Sequence, residues 1–221
     1  MKKLFTVAAL LLVLTASAQK AKWVTLFDGK SIKGWHIYNK ANEPISGWHV
    51  MNGVMMTHGK NGNITTDKEY GDFILEFEFN VMPKGNSGVL YKVVERPDLD
   101  EPYLSGPEFQ VIDDVNYPDA LENNQKTGAN YGINPPLNLA ATKPAGEWNK
   151  GKIVVKNNKI EHFLNGVKVA SYTYGNQAWA DAVAKTKFAD WEYAKPRAKG
   201  KICLQDHGDM ASYRNIRIKE L

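Results

Sequence analysis

A single cysteine, Cys203, stands in the whole chain, so an internal disulfide is excluded. There is no Lys/Arg block and no basic stripe interleaved with aromatics. The net charge of +4 is scattered, which leaves nucleic acid without a recognition surface. No His/Cys cluster has zinc spacing, no glycine-rich loop is shaped for phosphate, and no Gly-x-Ser-x-Gly elbow occurs. Beyond Leu4–Leu14 no segment is apolar enough to span a bilayer, and that run is itself shorter than the ~20 residues required.

What the amino terminus does contain is a leader pattern. Lys2 and Lys3 precede the apolar run, and Ala16-Ser17-Ala18 offers a small-residue cleavage site before Gln19. The order is that of a secretory signal peptide. We expect residues 1–18 to be removed and residues 19–221 to form one domain, periplasmic or secreted. No cysteine near the cleavage point would take a lipid, so no membrane insertion is expected after cleavage. An exported chain without disulfides must be held by its core. The supply is ample, with 11% aromatic residues including six Trp and ten Tyr. Cys203, in an apolar run, reads as a small buried residue.

The rest is short β-type runs separated by Gly, Asn and Pro. Phe73 to Asn80 alternates, with Phe73, Leu75, Phe77 and Phe79 on one face and Ile74, Glu76, Glu78 and Asn80 on the other, the period of a half-buried strand. Ser87–Val94 reads as its neighbour after a Pro83–Asn86 turn, and Glu108–Ile112 as another strand. Lys152–Lys156 and Lys159–Leu164 flank Asn157-Asn158. Asn165-Gly166, which tolerates the positive φ angles of a tight hairpin turn, leads back into Val167–Tyr174. Lys201–Gln205 and Tyr213–Lys219 close the chain, and only Asn176–Phe188 looks helical. The pattern predicts an all-β, two-sheet antiparallel jelly-roll sandwich with one short helix. The irregular stretch from Val94 to Asn149 is expected to wall one face, as long loops in compact domains are usually functional.

An ordered set of motifs then carries a resemblance over the chain from Trp23 to the end. It comprises Leu26-Phe27-Asp28-Gly29-Lys30 with Gly34-Trp35, Trp48-His49-Val50 with Gly53-Val54, Gly85-Asn86-Ser87-Gly88-Val89, Gly106 to Asp113, Lys143 to Asn149, Leu164-Asn165-Gly166, and Leu204-Gln205-Asp206-His207-Gly208 with Tyr213-Arg214-Asn215-Ile216. This set resembles the 3-keto-disaccharide hydrolase domain family. The resemblance implies a concanavalin A-like jelly roll with a concave sugar-facing sheet, and action on glycosides whose C3 hydroxyl is oxidised to a ketone. Lys92 stands where many relatives carry Arg or His.

Alternation locates candidate chemistry. If Phe109 and Val111 are core, Glu108 and Gln110 face a groove. If Ile202 and Leu204 are core, Cys203, Gln205 and His207 share the opposite face. Burying four such polar groups in an apolar core would be costly, so a polar groove is expected. Glu108 and His207 are the expected catalytic pair. Gln110, Lys92, Gln205, Asp113, Arg214 and Glu76 are expected to bind substrate. For Asp113 and Asp114 the alternatives are a turn cap or a cation site; for Arg214, a groove role or an edge ion pair. Glu76 and Glu78 enter the site only if their face is the concave one. Tyr91, Tyr103, Tyr131, Trp179 and Trp191 are candidate sugar platforms. A Ca²⁺ on loop carboxylates is possible, but no spacing assigns it.

A C3 ketone acidifies the C2 proton, so a base near C2, a polarising group near the C3 oxygen and an acid near the leaving oxygen would give elimination, and water addition would complete hydrolysis. His207 or Glu108 is the expected base, with Lys92 or Gln110 at the ketone. An ordinary retaining β-glucanase needs paired carboxylates. The strand Glu108-Phe109-Gln110-Val111-Ile112-Asp113 places Gln and Asp where the laminarinase pattern has Asp and Glu, which argues against that chemistry. The alternative outside enzymes is a glycan-binding module on the same sandwich.

Overall fold

The structure is a computed structural model and describes residues 21–221; the leader read over residues 1–18 lies outside the described residues. Among the described residues thirteen strands form two antiparallel sheets. They are β1 (Trp23–Thr25), β2 (Trp35–Ile37), β3 (Trp48–Met51), β4 (Val54–Thr57), β5 (Ile64–Thr66), β6 (Phe73–Val81), β7 (Asn86–Val93), β8 (Glu108–Ile112), β9 (Asn149–Lys156), β10 (Lys159–Leu164), β11 (Val167–Thr173), β12 (Lys201–Leu204) and β13 (Ala211–Glu220). The larger sheet runs β11-β10-β9-β6-β13-β4-β3, with β1 added alongside β13; the smaller runs β2-β5-β12-β7-β8. One α-helix, α1 (Gln177–Val183), follows β11 and is capped by the Asn176 side chain accepting from the Trp179 N–H. It is shorter than the helical pattern suggests, because turns carry the chain from Ala184 onward.

Alternation explains why these strands pack as they do. Phe73, Leu75, Phe77 and Phe79 of β6 are buried against the smaller sheet, and the Phe109 ring of β8 sits 5.3 Å from Phe77 and 6.1 Å from Phe79, centroid to centroid. Val89 and Tyr91 of β7 and Ile202 and Leu204 of β12 complete that side. The hairpins form where Asn157, Asn158, Asn165 and Gly166 all take positive φ. Strands β1 to β5 hold only three or four residues each, too few for a period to show in the sequence.

The consequence for function is that the smaller sheet turns its other face outward. Asn86, Gly88 and Leu90 of β7, Glu108 and Gln110 of β8, Cys203 of β12 and the following Gln205 lie there, by strict alternation with the core residues. One part of this face is apolar, with Leu90, Val93, Cys203 and Tyr38 packed beneath Tyr103. The loop from Glu95 to Ser105 crosses it, pinned where Asn63 donates to Glu101, where His36 and Lys201 meet Glu95, and where Ser105 accepts from the Val94 N–H. Only the part beside β8 stays open.

Candidate active site

That opening is a pocket of about 250 Å³. Asn86, Glu108, Gln110 and Gln205 form its floor; Tyr103, Tyr131, Phe188 and Trp191 form its wall; Lys187 and His207 reach it from the side. The outer edge of β8 is not free. Residues 128–131 run along it, with Gly128 donating to Gln110, Gln110 to Ala129 and Tyr131 to Glu108, which brings the Tyr131 ring to the pocket.

Glu108 dominates the electrostatics. It is 6% exposed, and burial pushes its carboxyl up to about 8, opposed only by the charge of Lys187. Loss of hydration favours the neutral acid, so Glu108 carries its proton at neutral pH. Space for it exists because Gly88 has no side chain: a Cβ there would lie 2.0 Å from Glu108 Oε1. Gln110 Oε1 accepts the Val111 N–H, which orients its amide. Asn86 Oδ1 at the pocket floor is buried without a hydrogen-bond partner among the described residues.

His207 is half-exposed, its Nδ1 3.8 Å from Asp209 Oδ2. Its sequence neighbour Asp206 is spent elsewhere, accepting from the N–H groups of Lys60, Asn61 and Gly208. Asp209 also accepts the Asn86 N–H, so one carboxylate ties the His207 loop to the pocket floor. Lys187 holds its Nζ 5.1, 5.5 and 5.8 Å from the ring centroids of Tyr131, Phe188 and Trp191. Sequence reasoning missed this cation. The available signal was a lysine beside Phe188 and close to Trp191, at the end of the Asn176–Phe188 stretch that reads as helical.

Four of the expected binding residues lie elsewhere. Lys92 is turned away by a β-bulge. Between the Leu90–Cys203 and Val93–Lys201 pairs β7 takes one more step than β12, and Lys92 adopts φ 54. Its buried ammonium donates to the Ala198 carbonyl at 2.7 Å and lies over the Tyr174 ring. A bulge places two residues against one and breaks the alternation that would have aimed Lys92 beside Leu90. Asp113 accepts N–H groups from Lys84, Val115 and Asn116 and caps a turn, whereas Asp114 accepts from the N–H of Thr127, thirteen residues on, and holds that segment in place. Glu76 and Arg214 lie on the outward face of the larger sheet, where Glu76 pairs with Arg217 and Arg214 with Glu78. Tyr91 and Trp179 are core residues, whereas Tyr103, Tyr131 and Trp191 do line the pocket. Among the described residues no group of three or more His, Cys, Asp and Glu side chains is placed to hold a metal ion, and no helix is long and apolar enough to cross a membrane.

The family model described as the 3-keto-alpha-glucoside-1,2-lyase-like domain matches residues 22–219. The chain belongs to this family. It is similar to a 3-keto-disaccharide hydrolase of Bacteroides thetaiotaomicron, at 35% identity over 90% of this chain and 78% of that protein. It is also similar to the crystal structure of a candidate glycosyl hydrolase from Parabacteroides distasonis, with 36% identity, a TM-score of 0.84, and coverage of 90% of this chain and 94% of that one. A second such structure from the same organism matches at 28% identity and a TM-score of 0.74, over 90% of this chain and all of that one. The 3-keto-alpha-glucoside-1,2-lyase-like domain thus spans both sheets and every residue of the Glu108 pocket.

Proposed function

We propose that the chain is a glycosidase-type enzyme that cleaves 3-keto-disaccharides in the Glu108 pocket by elimination followed by addition of water. Family membership and the similarity to a 3-keto-disaccharide hydrolase support the substrate class. The observation that carries the reading is Glu108: a buried carboxyl held protonated at neutral pH, with an imidazole and an ammonium group at the same pocket.

The chemistry follows from those three groups. The C3 ketone acidifies the C2 proton, and His207, accessible to solvent, takes it as general base. Negative charge moves onto the C3 oxygen, where the Lys187 ammonium stabilises it. The C1–O bond breaks, and Glu108 gives its proton to the departing oxygen, leaving an unsaturated keto-sugar and a free alcohol. Water then adds at C1 with Glu108, now a carboxylate, accepting its proton, while His207 returns a proton to C2. The sum is hydrolysis. A glycan-binding module would use the aromatic wall but would have no use for a proton stored on a buried carboxyl.

Incubation in D₂O tests this. A 3-keto-disaccharide is expected to be cleaved, with deuterium appearing at C2 of the keto-sugar product, while the unoxidised disaccharide is left intact. Equal cleavage of both sugars, or a product without deuterium at C2, would rule the mechanism out. Replacement Lys187→Met is expected to lower kcat about 100-fold, the lower end of the range for a lost oxyanion contact, with KM little changed. An unaltered kcat would remove Lys187 from the mechanism.

A further inference from the structure

The outward face of the larger sheet, on the opposite side of the sandwich, carries a wide cleft of about 760 Å³ that the proposed reaction does not use. Its floor is a charge ladder. Glu76 is paired in register with Lys152 on one side and Arg217 on the other, and Glu78 with Lys150 and Arg214. Each carboxylate therefore lies between two cations, and in both cases the guanidinium takes it, at 2.6 Å for Arg217 and 2.8 Å for Arg214. Lys150 and Lys152 are left without an ion pair among the described residues. They project from one face of β9, ~6.8 Å apart along the strand. Asp28, another acid at the cleft, is occupied by the N–H groups of Lys30 and Ser31.

Two further observations point to an anionic occupant. Of the aromatic rings lining the cleft Phe27 and Phe77 are buried, and those at its surface are covered by cations: Arg214 lies 4.0 Å over Trp148, Arg217 4.5 Å over Trp23, and Lys152 4.0 Å over Phe163. No bare ring is offered to a neutral sugar, for which stacking on an open aromatic face is the usual recognition. Second, β13 bulges between Arg214 and Arg217, and Asn215 is held at φ 54 at the wall of the cleft. Bulges of this kind re-aim side chains beside sites, and a non-glycine residue at positive φ is strained unless its surroundings hold it there.

We propose that this cleft binds a uronate-bearing polysaccharide, so that the enzyme is held on a carboxylated glycan while the Glu108 pocket on the other sheet acts on small keto-sugars. The free charges are single ammonium groups set one strand repeat apart. That spacing suits a chain with one carboxylate per sugar better than a multiply sulfated one, which calls for cations gathered at one point.

The test is retention of residues 19–221 on polygalacturonate, a sulfated glycan and a neutral β-glucan, for the native chain and for Lys150→Ala/Lys152→Ala. Polygalacturonate is expected to be bound preferentially. The double variant should lose at least fivefold in affinity, and native binding should weaken between about 50 and 300 mM salt, as exposed charge interactions are screened. Melting temperature and turnover of a 3-keto-disaccharide should be unchanged by the double substitution, which separates this site from the catalytic one. No retention on polygalacturonate, equal retention of native chain and variant, or equal or stronger binding of the sulfated or neutral glycan overturns the proposal, whether or not the enzyme reading holds.

Discussion

Glu108→Gln is expected to cut turnover of a 3-keto-disaccharide about a thousandfold while making the protein more stable, the first within the range for removal of a general acid. The amide keeps the size of the carboxyl and can still donate a hydrogen bond, but it cannot hand over a proton. Stability moves the other way because a carboxyl whose pKa rises from its ordinary 4.5 to about 8 on folding binds its proton more tightly in the folded state. Folding is then favoured with the proton on, and stability declines as pH climbs from about 4.5 through 8, by roughly 5 kcal/mol at the alkaline end. Glutamine is spared that loss. Melting curves of the two proteins should nearly coincide near pH 4.5 and separate by pH 9, with the variant the more stable. The native kcat/KM should fall above about pH 8, as the acid loses its proton, and that limb should vanish in the variant. Turnover within a few-fold of native, or a native protein more stable than the variant at pH 9, would show that Glu108 is not the proton donor described.

Gly88→Ala is expected to approach the same loss of turnover without touching any charged group. Gly88 does not have a positive φ, so alanine is compatible with its backbone. The new Cβ would nonetheless meet Glu108 Oε1 at 2.0 Å, Cδ at 2.8 Å and Cγ at 3.0 Å. The end of a flexible side chain can move aside, so the sheet survives while the carboxyl is displaced from the pocket. Two substitutions acting through one group are not additive. The double variant Gly88→Ala/Glu108→Gln should therefore be about as slow as Glu108→Gln alone. An active Gly88→Ala enzyme, or a double variant slower by the product of the two effects, would contradict the placement of Glu108 over Gly88.

Alternation assigns faces correctly where strands are regular. Alternation in Glu108–Ile112 and Lys201–Gln205 puts Phe109, Val111, Ile202 and Leu204 inside. The same alternation brings Glu108, Gln110, Gln205 and His207 to a single pocket, although about a hundred residues separate the two segments. It failed at Lys92, because one extra residue in β7 reverses the face of everything after it. It did not single out Lys187, which falls within the Asn176–Phe188 stretch that reads as helical but lies on a turn after α1. Glu76 and Glu108 look alike in sequence, each an acid alternating with buried phenylalanine. In the structure Glu76 is satisfied by Arg217, whereas Glu108 lies opposite Leu90 and over Gly88.

The sequence by itself determined the two-sheet architecture, the hairpins at Asn157-Asn158 and Asn165-Gly166, and which side chains of each regular strand avoid the core, since all of these follow from local period and turn chemistry. Tertiary structure decided which outward-facing acid keeps its proton at neutral pH. Whether a carboxyl holds a proton depends on the water and countercharge around it, and those are set by cross-strand neighbours and covering loops far away along the chain.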